Sequence, residues 1–299
     1  MRLPDGQVVL IDLGPRASPI IDWLADSRPT IHAAIISHND EDHAGSLPSL
    51  VKIPGLTIGT IYMLLDRDKQ SPKFQNIWRP VREEESKGRF AVLGLCRDTV
   101  IWQGSKQCLK VVYPSFSENI EATRPNETSA IVCLLNADEI RIIWPGDAPM
   151  QVIAEKCAAT TPHLLHGPHH GGPVDRKKTG FKTWTESLTP ERVFISVGTN
   201  NRYSLPSQPY LNHQASRGCV VTCTQLTKLC DNLHVAHQVP VLQTAALLGL
   251  RAARNGVPCR GCFRLLVHNG KILPDPWDQE HLTRIKALRR AQCLGSRQN

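Results

Sequence analysis

The stretch Ser37-His38-Asn39-Asp40-Glu41-Asp42-His43-Ala44-Gly45 decides the reading of this chain. It follows Ala33-Ala34-Ile35-Ile36, an apolar run that reads as a short buried strand. His38, Asp40, Asp42 and His43 can all ligate a metal, and they fall within six residues at the strand's tip. Carboxylates this close repel one another, and a divalent ion removes the repulsion. Taken alone, Asp40 and Asp42 would read as the cap of a following helix. Packed together with two histidines, they point to a metal-dependent hydrolase.

Working outward, Gln7 to Gly14 reads as a strand ending in a glycine turn, and Ile20 to Ala25 has helical spacing. Asp42 to Leu50 predicts a helix with its acidic residues near the N-terminus, where the dipole favours them. Pro48 fits that helix only if it starts late. Asp66 to Arg89 is charged and reads as a helical insertion or a surface loop. Strand signals return at Leu109–Tyr113, Ser129–Asn136 and Ile140–Trp144, the last two joined by the hairpin turn Asn136-Ala137-Asp138-Glu139. A helix from Met150 to Ala159 and strands at Val193–Val197 and Cys219–Thr222 follow. Strands and helices alternate while hairpins also occur, so the sheets are mixed. Three further turns carry metal-compatible or polar side chains: Asn126-Glu127-Thr128-Ser129, Pro145-Gly146-Asp147 and Pro168-His169-His170-Gly171. Their glycines and prolines mark tight turns that hold a neighbouring side chain at a fixed angle.

The order Ile11-Asp12-x-Gly14, Ser37-His38-x-Asp40-x-Asp42-His43-x-Gly45, Asn126-x-x-Ser129, Gly146-Asp147, Pro168-His169-His170-Gly171 resembles the metallo-β-lactamase-fold hydrolases. It is most similar to the hydrolase domain of ComEC-type competence (DNA-uptake) proteins, and Ser196-Val197-Gly198-x-x-Asn201-x-Tyr203-x-x-Pro206 fits the same subfamily. Leu205 departs from it, standing where a histidine is usual, and the family's strand ahead of Ile11-Asp12 is not in this sequence. The resemblance implies an α/β (α+β) fold: a four-layer αββα sandwich with mixed sheets and a dinuclear site at one edge. It implies that His38 and Asp40 hold one metal. Asp42, His43 and one of His169 and His170 hold the other, and Asp147 bridges both. Asp12 would tie down the ligand loop without touching metal, with Asn126, Ser129, Asn201 and Tyr203 also behind the ligands. Asn126 stands where many relatives carry another histidine. Most relatives have histidine where this chain has Asp40, and a carboxylate hardens the site, shifting preference from Zn²⁺ towards Mn²⁺ or Mg²⁺ without excluding zinc. The implied chemistry is attack by a metal-activated water, with Asp42 and Asp147 as the catalytic carboxylates.

The chain has 299 residues, 41% hydrophobic and 21% charged, enough for one large domain plus a module. The expected division is a hydrolase domain over 1–230 and a basic, Cys/His-containing extension over 231–299. No apolar run is long enough to span a bilayer, and the N-terminus lacks the apolar core of a signal peptide, so a cytoplasmic setting is expected. The formal charge is +8, and between Pro240 and Asn299 ten Lys/Arg face three acids. A basic segment of this kind favours nucleic acid or another polyanion. Its helix, Asp278 to Gln292, puts Leu282, Ile285 and Leu288 on one face and spreads Arg284, Lys286, Arg289 and Arg290 over the rest as candidate phosphate contacts.

Ten cysteines are present, some, like Cys133, in apolar runs where a thiol acts as a small hydrophobe. Cys259-Arg260-Gly261-Cys262, with His281 and Cys293, forms a candidate Cys₃His structural zinc site. Cys219, Cys223 and Cys230 are competing ligands, and buried thiols or a redox pair are the other reading. Phe263–Val267 and Lys271–Leu273, across Asn269-Gly270, predict a hairpin that either returns to the hydrolase sheet or stands apart. Three functions compete: a metal-dependent phosphodiesterase or nuclease; a metallohydrolase of a small ester, lactone, thioester or amide; and a non-catalytic binding module.

Overall fold

Runs that are apolar throughout, rather than alternating, suit parallel strands covered on both faces. Val8–Ile11 (β1), Ile31–Ile36 (β2), Ile58–Met63 (β3) and Ala91–Gly94 (β4) form a sheet in that order, each neighbouring pair parallel. The structure, a computed structural model, describes residues 1–16, 18–64, 72–121, 125–172, 188–199, 201–227, 230, 259–260, 266–268, 271–273, 278–287, 291 and 293. Four helices accompany this sheet: Ile20–Ser27 (α1), Glu41–Ala44 (α2), Leu47–Val51 (α3) and Pro72–Ser86 (α4). Leu24, Leu47, Leu50, Ile77 and Val81 join Leu10, Ile31, Ala34, Ile36 and Ile61 in one buried cluster. Each fully buried aliphatic side chain there contributes about 1.5–3 kcal/mol.

The single helix expected from Asp42 to Leu50 is instead two. Pro48 sits at the second position of α3, where its missing N–H leaves no bond unmade. At the break Ser46 N–H donates to Gly14 O at 3.2 Å, and Gly45 beside it is required because a Cβ there would lie 2.7 Å from the Arg16 nitrogen. The charged stretch after Asp66 is helical from Pro72, and Asp66–Ser71 lie outside the described residues.

The chain divides into two compact units, one of Met1–Cys133 with Pro145–Ala148, the other of Leu134–Trp144 with Pro149–Asn299. The first unit also holds Val100–Gln103 (β5) and Gln107–Tyr113 (β6), which pair antiparallel, and a short helix, Phe116–Glu121 (α5). Within it His32 of β2 bonds the Ile101 carbonyl of β5 at 2.9 Å through Nε2. Ile131–Asn136 (β7) passes from the first unit into the second after Cys133.

In the second unit Glu139–Trp144 (β8), Leu164–His166 (β9), Arg192–Ile195 (β10) and Val220–Cys223 (β11) run in that order, parallel throughout. The β7–β8 turn falls where the sequence puts it, with Ala137 and Asp138 both at positive φ (49° and 66°), as a tight hairpin of this twist requires. Helices Met150–Lys156 (α6) and Gln208–Ser216 (α7) belong here too. So do Leu266–His268 (β12) and Lys271–Leu273 (β13), which pair antiparallel as a two-stranded sheet, and Asp278–Ala287 (α8). The architecture is mixed α/β with two main sheets, in keeping with the sandwich that the resemblance implies. Among the described residues, no helix is long and apolar enough to cross a membrane.

Candidate metal centre

β2 ends at Ile36 and delivers Ser37 and His38 into a loop that closes with Asp40 ahead of α2. Asp40 occupies the cap position but makes no side-chain cap bond, so the helix-cap reading of that carboxylate fails. Its side chain is 42% exposed, with Oδ2 3.7 Å from His38 Nε2. Glu41 and Asp42 are exposed on the first turn of α2, and His43 is buried on the same turn. Gly146-Asp147, at the end of β8, brings a third buried ligand, and ligand atoms of His38, His43 and Asp147 all lie within 4.8 Å of one another.

Each histidine is held from behind. His43 Nδ1 lies 2.7 Å from Asp12 Oδ2, so the ring donates there, and its Nε2 faces Asp147 Oδ1 at 3.2 Å. His38 Nδ1 lies 3.2 Å from Ser37 Oγ and 3.3 Å from Ser129 Oγ, which turns its Nε2 towards Asp147 Oδ2 at 3.8 Å. The two Nε2 atoms thus face opposite oxygens of a single carboxylate. Among the described residues the His38 Nε2 is buried with no hydrogen-bond partner, a cost a protein retains where something else pairs with the atom. Imidazole nitrogens and carboxylate oxygens suit Zn²⁺ or Mn²⁺, and carboxylate-backed histidine is the usual way a metal ligand is oriented.

Asp12 is the organiser. It sits in the left-handed region (φ 54°), accepts from the Ser37 N–H and Ser37 hydroxyl at 2.8 Å each, and backs His43. Burial pushes its carboxyl up, but His43's charge and these hydrogen bonds win, leaving its pKa below the ordinary value. Burial pulls His43 down, yet Asp12 and Asp147 outweigh it and hold the imidazole well above its usual range. His38, desolvated and repelled by His43, is pushed down to about 4 in spite of Asp147, Asp12 and Asp40. The two imidazoles, their rings 4.1 Å apart, are thus driven in opposite directions.

Gly146 is required where it stands. Its φ is +53°, and a Cβ would lie 2.6 Å from Ser37 Oγ and closer still to Ser129 Oγ. Ser129 in turn accepts from the Asp147 N–H at 2.9 Å, fixing the carboxylate's backbone. Ser37, a hub joining Asp12, His38 and His43, has no role in the sequence reading; the only signal for it was its place between strand and ligand.

Asn126 lies half-buried in the 3₁₀ turn Pro125–Thr128, its carbonyl accepting from Ser129 N at 3.2 Å. The second unit holds His169 and His170 in a turn after β9, both left-handed (φ 48° and 54°), with His170 Nδ1 2.8 Å from the Ser196 carbonyl. Two consecutive non-glycine residues in that region store roughly 1–3 kcal/mol each, the kind of strain that collects at functional turns. Asn201 clamps its own loop, bonding Gly198 and Leu205 carbonyls through Nδ2 and the Leu205 N–H through Oδ1. Tyr203 is 65% exposed under the Arg202 guanidinium. Of the basic helix, Lys286 is exposed; Arg289, Arg290 and the side chain of Arg284 lie outside the described residues, as does Cys262.

A family model described as "Metallo-beta-lactamase superfamily" matches residues 1–108, which include Asp12 and the His38–His43 segment. No curated protein matches the sequence. Among solved structures, Igni18, a metallo hydrolase from the archaeon Ignicoccus hospitalis, is similar at 15% identity over 74% of this chain and 88% of its own, with a TM-score of 0.43. Zn²⁺-bound PqqB from Methylobacterium extorquens is similar at 11% identity over 73% of this chain and 81% of its own, also with a TM-score of 0.43.

Proposed function

We propose that this protein is a metal-dependent hydrolase of the metallo-β-lactamase superfamily that cuts phosphodiester bonds, with nucleic acid as the substrate class. The observation that carries it is the arrangement of two buried imidazoles with their Nε2 atoms towards the two oxygens of Asp147. In this reading His38 and Asp40 hold one divalent ion, Zn²⁺ or Mn²⁺. Asp42, His43 and one of His169 and His170 hold the second, and Asp147 serves both. When bound, such a pair supplies charge neutralisation for the phosphate oxygens and makes water acidic enough to attack near neutral pH.

The chain's own groups do the rest. Asp12 holds the proton on His43 Nδ1, so that Nε2 is the nitrogen that would bind metal once its own proton leaves. Ser37 and Ser129 do the same for His38. Asp42, exposed on α2, is the carboxylate assigned to orient the attacking water and accept its proton. Asp40 adds negative charge and hardness, which favours Mn²⁺ alongside Zn²⁺. The ComEC-type resemblance and the basic C-terminal segment, with Lys286 exposed on α8, favour a polyanion over a small acyl substrate. A cytoplasmic setting and a 1–230 hydrolase domain belong to the same proposal.

The test is a cleavage assay of the full chain on plasmid, single-stranded DNA and a chromogenic phosphodiester, in parallel with acyl esters and lactones. Phosphodiester cleavage that EDTA abolishes, Mn²⁺ or Zn²⁺ restores and Asp147→Asn removes is the expected result. Metal-dependent turnover of the acyl substrates alone would replace the nuclease with a small-molecule hydrolase. Inertness towards both sets in metal-loaded protein would leave the binding module.

A further inference from the structure

The second unit holds chemically able side chains beyond the turn of His169 and His170. One grouping is buried: Cys259 Sγ stands 3.4 Å from Nε2 of His281 on α8, and both residues are 3% exposed, closed to any substrate. Cys293 is buried too. Another grouping is at the surface. Tyr203 is 65% exposed, the Arg202 guanidinium lies over its ring at 4.8 Å from the centroid, and Arg202 Nη2 donates to the Tyr203 hydroxyl. A ring this exposed adds little to the core and does not prop the ligand turn from behind.

The loop that carries the pair is held firmly. Asn201 Nδ2 donates to the Gly198 carbonyl at 2.8 Å and the Leu205 carbonyl at 3.0 Å, and its Oδ1 accepts from the Leu205 N–H at 2.7 Å. Ser204, next to Tyr203, sits in the left-handed region (φ 55°), a backbone state that a non-glycine residue keeps only where its surroundings enforce it. Leu205 and Pro206 are buried. Ser207 N–H donates to Gly171 O at 2.8 Å, and a Cβ on Gly171 would lie 2.6 Å from Pro206 Cβ. The loop is thus seated on the turn of His169 and His170, with Arg202 and Tyr203 exposed at its tip. An incidental surface tyrosine requires none of this.

We infer that Tyr203 is a stacking platform for an unpaired base of a single-stranded nucleic acid, with Arg202 against the adjoining phosphate. The inference rests on the phosphodiesterase reading above and narrows its substrate to unpaired strand. Every base has a flat π-face, so an exposed aromatic ring takes any of them. A guanidinium offers forked N–H donors that match phosphate oxygens. Arg202 covers part of the ring, and the exposed remainder is the area that a base would cover. In a duplex the faces of each base are already taken by its neighbours, so the platform selects strand that is single. A loop fixed in advance loses little freedom when it binds.

The test reads binding, not cleavage. Full-length protein in EDTA is titrated against a fluorescein-labelled thymidine strand of about 12 nucleotides and an abasic strand of equal length. Tyr203→Leu is expected to weaken binding of the thymidine strand about 5- to 100-fold, the range of one base–aromatic contact, and to leave the abasic strand and plasmid-length duplex unchanged. Tyr203→Phe keeps the ring and should keep most of the affinity, whereas Arg202→Gln should weaken both strands alike. Because the ring is exposed, thermal melting of the Tyr203 variants should match wild type. Equal binding of the thymidine strand by wild type and Tyr203→Leu, an equal loss on the abasic strand, or a wild type that binds neither strand would each overturn the platform. Wild-type protein that cuts phosphodiesters while Tyr203→Leu binds normally loses the platform and keeps the phosphodiesterase.

Discussion

Asp12 Oδ2 lies 2.7 Å from His43 Nδ1, and Asp12 does this from a left-handed backbone position while also bonding the Ser37 N–H and hydroxyl. One carboxylate that touches no ligand atom facing Asp147 thereby sets the orientation of the loop that carries them. Removing it should weaken metal binding about 10–100-fold. Metal titration of Asp12→Asn against wild type measures this directly; equal affinity would remove Asp12 from its orienting role.

Gly146→Ala should destabilise the metal-free protein by roughly 1–3 kcal/mol, because it combines an unfavourable φ with a clash against two hydroxyls. Chemical denaturation provides the number. Metal affinity should drop with it, since Ser37 and Ser129 would both have to move away from the histidines they orient.

The His43–Asp12 pair predicts a pH dependence for the metal-free protein. His43 is raised above 6.5, so its contribution to stability is complete below that value and is lost as pH rises through the raised pKa. Asp12 is lowered from 3.8, so its contribution is present above that value and is lost as pH falls through the depressed pKa. The pair stabilises most between these limits. The difference in unfolding free energy between wild type and His43→Gln should therefore be largest at about pH 5–6 and shrink as pH rises through the raised His43 pKa. A flat difference across that range would contradict the assignment.

Metal and proton compete for His43 Nε2, since the site holds that imidazole protonated well above its ordinary pKa. Metal loading should therefore release a proton and tighten as pH rises. Calorimetric titration in buffers of different ionisation enthalpy reports the proton count. His38→Ala, which removes an imidazole that is already neutral near pH 7, should lower affinity without abolishing that release.

Much of the front centre was legible because its ligands are local. His38, Asp40, Asp42 and His43 share one turn and Asp147 follows an apolar strand beside a glycine, so pattern singles them out as candidates, whereas Asp12 enters through the family resemblance. What pattern does not carry is the contact made between distant turns. Ser37 looks like filler in the chain, yet its hydroxyl meets three of the centre's residues. Pro48 hints at the break between α2 and α3, but the bond from Ser46 N–H to Gly14 O that accompanies it is a tertiary contact. In the C-terminal segment, spacing suggested Cys259 and Cys262 as a knuckle. The backbone bond from Cys259 N–H to Thr224 O, at the end of β11, joins residues far apart in sequence and no spacing announces it.

Pro145–Ala148 is counted with the first unit although the chain on both sides of it is counted with the second. A gene fragment cut after Cys133 would therefore encode nearly all of one unit and still lack Asp147, its shared carboxylate. Splitting this protein into separately expressed halves should yield an inactive N-terminal piece however well it folds, and adding a short peptide spanning Pro145–Ala148 is the complementation experiment that would expose why.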